Sequence, residues 1–400
     1  ATDQSGHTHV DGTWTAPAII GYGAANEDDA LRKYTDYYFT SGIAKPHDNR
    51  PFPRFWYGPM LCGWLEQAMR VGDPAFADLT ITELAREELY EALVGKLGKY
   101  DMHPTALIID DKWQSEYAVD AADPEKWPDL RGWIDATLRD YNCRTMLWYK
   151  LWDREELPDD MTMDNGQGGR CVDPSNPKYR EYLRETMHRL LSSDEGCCNA
   201  YGLKLDYAFT QPVGKDAKSY SGKFGVELFL DYITLIHDCA KAAKPEAIIS
   251  ASPCHPLFTN YVDHARLHDY YPDLRRCYEE FTFRREIYDI AMPGVLFDTD
   301  GSAYNTRRDT MRYMRLAPKI GIPDLYCITE FPSLTLSDDD WESVADIWRE
   351  YGERIDRTVG KGSGKSPAAV RRAEKKNRSL RLLFFWNAEN KTRRSEERTG

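Results

Sequence analysis

The chain has no C-x-x-C pair, no long apolar run and no surplus of positive charge, and each absence removes a class of function. Nine cysteines are scattered over 400 residues, which in a chain with this much core reads as buried free thiols, not a disulfide framework or a zinc site. No stretch reaches the roughly 18 consecutive apolar residues of a membrane-spanning helix, so no membrane partner is expected. The net charge is −13 and the isoelectric point near 5.3, which disfavours a nucleic-acid groove or an anionic lipid surface. A neutral small molecule suits this balance better. The N-terminal residues carry neither the basic nor the apolar region of a signal peptide. The compartment stays open, as does assembly into a homo-oligomer.

What the chain does have is aromatic: 11 Trp and 25 Tyr, which suit either sugar faces or plain core packing. Its most informative stretch is Gly202-Leu203-Lys204-Leu205-Asp206-Tyr207. As a strand, the period of two puts Lys204 and Asp206 on one face and Leu203 and Leu205 on the other. A cation and an anion would then share a cavity while the leucines meet a helix layer. Taken alone, the pair also reads as a buried ion pair that fixes strand register.

Residues 1–50 read as a tail and linker, or as the end of a β-sandwich, with a charged helix over 26–38. His7 and His9 form an H-x-H in a Gly/Thr/Asp-rich tail, which reads as solvated. From Pro53 the pattern is regular. Apolar strands are expected at 55–60, 106–109, 145–149, 203–206, 247–251, 262–267, 294–297 and 325–328, with helices between them. Leu84, Leu89, Leu93 and Leu97 stripe the first of these helices, and Asn176-Pro177 opens another with a capping Asn and Pro at the first helical position. Eight strands alternating with helices give an α/β fold, a (β/α)8 TIM barrel over 51–358. Residues 359–400 read as a linker and the start of a C-terminal β-domain, because 380–386 begins a strand with nowhere to pair in the barrel.

Polar residues gather at the strand exits, where barrels carry their sites. Asp110-Asp111-Lys112-Trp113 resembles the D-D-G-W of glycoside hydrolase clan D, the group containing the α-galactosidases of families 27 and 36. The helix start from Asp173-Pro174 to Leu183 resembles that clan's D-x-x-x-P-x-x-R-x-Y-L, and Leu203-Lys204-Leu205-Asp206 resembles its nucleophile strand. The likeness covers roughly residues 53–357. It implies a retaining, exo-acting α-glycosidase with an oligosaccharide or glycoside substrate, an α-galactoside foremost, and no cofactor or metal. Asp206 would attack the anomeric carbon, and Lys204 would bind hydroxyls and keep Asp206 ionised. Asp110, Asp111 and Trp113 would meet the terminal sugar, Trp64 would be an aromatic wall, and Arg266 and Asp269 match an R-x-x-D-like pattern with Asp269 as acid/base.

Two departures leave questions open. The fifth-strand exit of family 36 is Ser-Cys-Ser followed by glycines, whereas here it is Ser250-Ala251-Ser252-Pro253-Cys254-His255-Pro256, so Cys254 is the counterpart and the sugar is unsettled. If Arg266 and His268 face the cavity, Asp269 joins them only where the strand has ended, and Asp263 is the rival acid. Other readings are a transferase of raffinose-synthase type, an α-glucosidase-like relative, and a metal-dependent barrel using His255, His264, His268, Asp298 and Asp300. Those histidines form no tight ligand motif.

Overall fold

A computed structural model describes residues 23–48, 51–76, 78–119, 121–267, 277–301, 306–328 and 336–359. The tail with His7 and His9, the residues His268, Asp269 and Glu330, and the run 380–386 lie outside the described residues.

Eight parallel strands form the sheet: β1 (Met60–Cys62), β2 (Ala106–Ile109), β3 (Arg144–Lys150), β6 (Gly202–Asp206), β7 (Ile248–Ala251), β8 (His264–Arg266), β9 (Leu296–Asp298) and β10 (Asp324–Leu325). They neighbour one another in chain order, and β10 returns to pair with β1 through Met60 and Asp324. A bridge between Asp298 and Ile322 joins β9 to the approach of β10, so the sheet closes on itself. This is the (β/α)8 barrel. A short antiparallel hairpin, β4 (Thr162–Asp164) and β5 (Arg170–Val172), stands on the loop after β3.

The helices follow from their ends. Between strands run α2 (Trp64–Arg70), α3 (Glu87–Lys99), α4 (Leu130–Tyr141), α5 (Pro177–Leu191), α6 (Gly225–Ala243), α7 (Cys277–Ala291) and α8 (Arg307–Ile320); α1 (Glu27–Thr40) precedes the barrel and α9 (Asp338–Val359) follows it. The Asn176 side chain accepts from the Lys178 amide with Pro177 in the first turn, as the sequence predicts. Asp129 caps α4 through the Gly132 amide, and Asn142 ends it in the left-handed conformation that Asn tolerates.

Alternation sorts the strand residues into two cores. Outward Leu61, Leu107, Ile109, Leu147, Leu203, Leu205, Ile249 and Phe297 join the helices in one buried cluster. Inward Met60, Cys62, Ala106, Ile108, Met146, Ile248, Ile322 and Tyr326 form a second, reached from below by Phe52, Trp56 and Tyr57. Burying this apolar area is the main stabilising contribution. Gly202 permits the close approach of β6 to β7, because a Cβ there would stand 2.5 Å from the Ile248 carbonyl oxygen.

Two expected strands differ. Residues 54–57 form a 3-10 turn, and the ladder starts only at Met60. Pro51, Pro53 and Pro59 offer no ladder N–H, and Trp56 and Tyr57 turn in to plug the barrel floor, where the Trp56 indole N–H donates to the Glu246 carbonyl at 2.9 Å. The last strand ends at Leu325, not Ile328. The buried Glu66 carboxylate draws the chain off the sheet, taking the Ile328 amide at 3.0 Å and the Cys327 thiol at 3.2 Å.

Candidate active site

The inward residues grow more polar toward the strand exits. The deepest charged pair is Lys204 with Asp110: Nζ lies 2.6 Å from Asp110 Oδ2, and the same oxygen accepts from the Cys62 thiol at 2.9 Å. Burial opposes the charge on Lys204, but the Asp110 carboxylate outweighs it and the ammonium pKa is raised. Tyr90 supports this pair from the helix side. Its hydroxyl accepts the Asp110 amide at 2.8 Å and donates to Gln67 at 2.8 Å, and it fits only because Gly63 has no Cβ to meet it.

Asp206 ends β6 one turn of the pleat above Lys204, and its side chain keeps 21% exposure. Three donors hold it: the Trp148 indole N–H at 3.1 Å, the Tyr207 amide at 2.9 Å and Arg266 Nη1 at 3.4 Å. Burial alone would raise its pKa. The charges of Arg266 and Lys204, with the indole and amide donors, outweigh that and hold the carboxyl well below the usual carboxylate range. Asp206 is therefore a largely buried, part-exposed and ionised carboxylate. The sequence pairs it with Lys204; in the barrel its direct ion partner is Arg266, and Lys204 acts on it from a distance.

Arg266 is itself fixed. Its Nε lies 3.1 Å from Asp300 Oδ1, an oxygen that also accepts from the Tyr326 hydroxyl. Asp298 and Asp324 complete a carboxylate group with Asp300, each offering an oxygen within 4.8 Å of the others. Among the described residues, Asp298 Oδ2, Asp300 Oδ2 and both oxygens of Asp324 accept no hydrogen bond. Burial, then the neighbouring carboxylates, pushes Asp298 up to about 6 and raises Asp324 well above the usual carboxylate range, and the two side chains lie close enough to share a proton. If any described residues hold a cation, these three oxygen donors are the set.

Asp111 lies beside the pair. Burial and the Asp110 charge push its pKa up to about 6, opposed by a Tyr117 hydroxyl and by Lys150. Its Oδ1 has no partner among the described residues, so a hydroxyl donor would complete it. Trp113 does not line the opening: it is buried in the outer cluster, with its indole N–H on the Trp148 carbonyl at 2.8 Å. Trp64 begins α2 half-buried against the inner cluster. Cys254 is half-buried against the outer cluster, and burial pushes its thiol up to about 12.

The two rival assignments fare differently from Asp206. Asp263 precedes β8, at the entry end of the barrel, with Oδ2 on Lys241 Nζ at 2.6 Å and on the Ile249 amide at 2.8 Å. It faces the helices, away from Asp206. His255 bonds the Tyr34 hydroxyl at 3.0 Å, and His264 lies on the floor edge-on to Trp56, where burial pushes its pKa down to about 4. Neither joins Asp298 and Asp300. Sequence reasoning missed Trp148, Tyr326 and Asp324. Trp148 alternates with Met146 and Lys150 on an inward strand face, which is the signal that could have found it.

No protein-family model matches the chain, and no curated protein matches it in sequence. Solved structures share its barrel. A cycloalternan-forming enzyme from Listeria monocytogenes in complex with a pentasaccharide substrate is 16% identical with a TM-score of 0.56 over 84% of this chain and 33% of that one. A cycloalternan-degrading enzyme from Trueperella pyogenes is 13% identical, TM-score 0.58, over 82% and 50%. A GH31 family sulfoquinovosidase from E. rectale is 13% identical, TM-score 0.57, over 84% and 52%. The chain thus spans a third to about half of the length of these enzymes.

Proposed function

We propose that this chain is the catalytic barrel of a retaining, exo-acting α-glycosidase. The observation that carries the reading is Asp206: an ionised, part-exposed carboxylate at a barrel-strand exit, aimed by an indole, an amide and a guanidinium. Its oxygen would attack the anomeric carbon as the glycosidic C–O bond breaks, while a protonated acid gives its proton to the leaving oxygen. That acid, now a base, would then take a proton from water, whose oxygen displaces Asp206 and restores the anomeric configuration. Asp269 follows β8, whose Arg266 already reaches Asp206, and we assign it the acid/base role. Asp111 would accept from a sugar hydroxyl through Oδ1, and Asp110 with Lys204 would line the base of the same pocket.

Fold likeness to enzymes of the GH31 type, which share clan D with families 27 and 36, supports the class. Within it the sequence motifs favour α-galactose, whereas structural relatives are described as an α-xylosidase complexed with xylose and a glucosidase II subunit bound to Glc1Man2. A panel of nitrophenyl α-galactoside, α-glucoside and α-xyloside tests both class and sugar, with the first-formed anomer read by NMR. Release of the α-anomer is expected. A β-anomer, or no turnover of any member, overturns the reading. Addition of an acceptor sugar distinguishes a transferase by its product, and chelation distinguishes a metal-dependent hydrolase: turnover should survive it, because the chemistry assigned to Asp206 and Asp269 needs no cation.

A further inference from the structure

The loop that leaves Asp206 carries an aromatic surface that the chemistry above does not use. Tyr207 takes a left-handed conformation, φ 60° and ψ 27°, which is uncommon for an aromatic residue. It starts a 3-10 turn, Ala208–Thr210, that projects Phe209 outward with 74% of its surface exposed. The Phe209 ring lies 5.4 Å from the Tyr207 ring at 31°, and Tyr207 stands edge-on to Trp148 at 6.0 Å. Trp148 in turn holds Asp206. An unbroken line of rings therefore runs from the candidate nucleophile to solvent.

This surface is built, not incidental. The Thr210 amide and hydroxyl both donate to the Tyr207 carbonyl, at 3.0 and 2.8 Å, which closes the turn. Further along, the Val213 amide donates to Asn165 of the β4–β5 hairpin at 3.1 Å, and the Tyr220 amide to Asp173 Oδ2 at 2.6 Å. The turn is closed on itself and the loop beyond it is tied down at two points, so little ordering would be needed on binding. A lone exposed Phe needs no explanation. This one connects to the residue that holds Asp206 through two ring contacts.

We propose that Phe209, backed by Tyr207, is the outer sugar-binding subsite, stacking on the ring at the leaving-group side of the scissile bond. The preferred substrate is then an α-linked oligosaccharide with at least one sugar beyond the bond cleaved, not a simple glycoside. The apolar C–H face of a pyranose fits a phenyl face, and in an exo-acting barrel the leaving sugar points outward at the strand exits, the direction in which the line of rings leads. This proposal rests on the glycosidase reading, and its test separates the two. Wild type, Phe209→Ala and Phe209→Trp are compared on the α-glycosyl fluoride of the preferred sugar, whose leaving group has no ring, and on raffinose, maltotriose and isomaltotriose. The expected result is that the ratio of kcat/KM for the trisaccharide to that for the fluoride falls about fivefold to tenfold in Phe209→Ala and returns in Phe209→Trp. An unchanged ratio, or a wild type that cleaves the fluoride and no trisaccharide, overturns the subsite alone. A wild type inactive on every fluoride overturns both.

Discussion

One barrel holds two groups of carboxylates that meet opposite fates. Asp206 at the β6 exit and the Asp298–Asp324 pair across the barrel are all shielded from water, and burial pushes each toward the neutral acid. Asp206 faces an indole N–H, an amide and a guanidinium, and it stays ionised. Asp298 and Asp324 face mainly each other, with Asp298 Oδ2 and both Asp324 oxygens reached by no described donor, and they hold on to protons. The type of residue is the same, so the donors decide. A nucleophile is made where three donors converge, and a store of protons where the donor described is a single backbone amide, that of Asp300 on Asp298 Oδ1 at 2.8 Å.

The comparison breaks most severely at Asp206. Asp206→Asn keeps the shape and removes the negative charge, and kcat on an activated aryl α-glycoside should fall by about 10⁴ or more. A variant that keeps near-normal turnover would end the glycosidase reading and return Asp206 to a structural ion pair. Arg266→Met comes next, because it removes the partner of both Asp206 and Asp300. Breaking a buried pair on one side costs about 3–5 kcal/mol, so the melting temperature should drop, and the acidic limb of the pH–kcat/KM profile should move to higher pH as Asp206 loses its cation. A drop in melting temperature without that pH movement would show that Arg266 serves only packing.

The other group is tested by pH. A carboxyl whose folded pKa lies above its unfolded value, near 4, lends stability that is fully present below that unfolded value. It is lost as pH rises through the folded value, about 6 for Asp298. Asp206 has the opposite sign: its contribution is present above pH 4 and is lost only in strong acid. Denaturant unfolding should therefore show the wild type losing on the order of 2 kcal/mol between pH 4 and pH 8. Asp298→Asn should flatten that fall. A profile identical to wild type would mean that the pair carries no shared proton, and calcium or manganese titration would then ask whether a cation neutralises it.

Much of this was legible in the chain. Ala106–Ile109, Gly202–Asp206 and the Asn176-Pro177 helix start stand where hydrophobic period and capping chemistry place them. Parity also suffices to turn Asp263 outward, since it alternates with His264 and Arg266 on the inner face. What the chain could not show is which charge meets which. Lys204 and Asp206 share a strand face, yet Asp110 from β2 captures the lysine and Arg266 from β8 reaches the aspartate. Such pairings depend on the stagger between strands far apart in sequence. Asp324 was hidden for a related reason: it begins a strand, where polar residues read as loop, and only the barrel's closure brings it to Asp298. Prolines and an inward Trp56 overrode the apolar pattern at 55–60.

The finest test concerns how Asp206 is aimed. Trp148 donates to Asp206 through its indole, and its own carbonyl accepts from the buried Trp113 indole at 2.8 Å. Trp113→Phe removes that one donor and keeps most of the ring. Loss of the bond leaves the Trp148 carbonyl short of a partner, a penalty of about 1 kcal/mol in unfolding free energy. If Trp113 acts only on stability, kcat and KM stay with the wild type once the protein is folded. If it sets the plane of Trp148, the indole swings slightly from Asp206, which then loses part of one of its three supports. In that case kcat falls about two- to threefold with KM steady, because the support matters as charge redistributes in the transition state. Direct contact between Trp113 and the sugar would instead raise KM, and its burial in the outer cluster argues that this will not be seen.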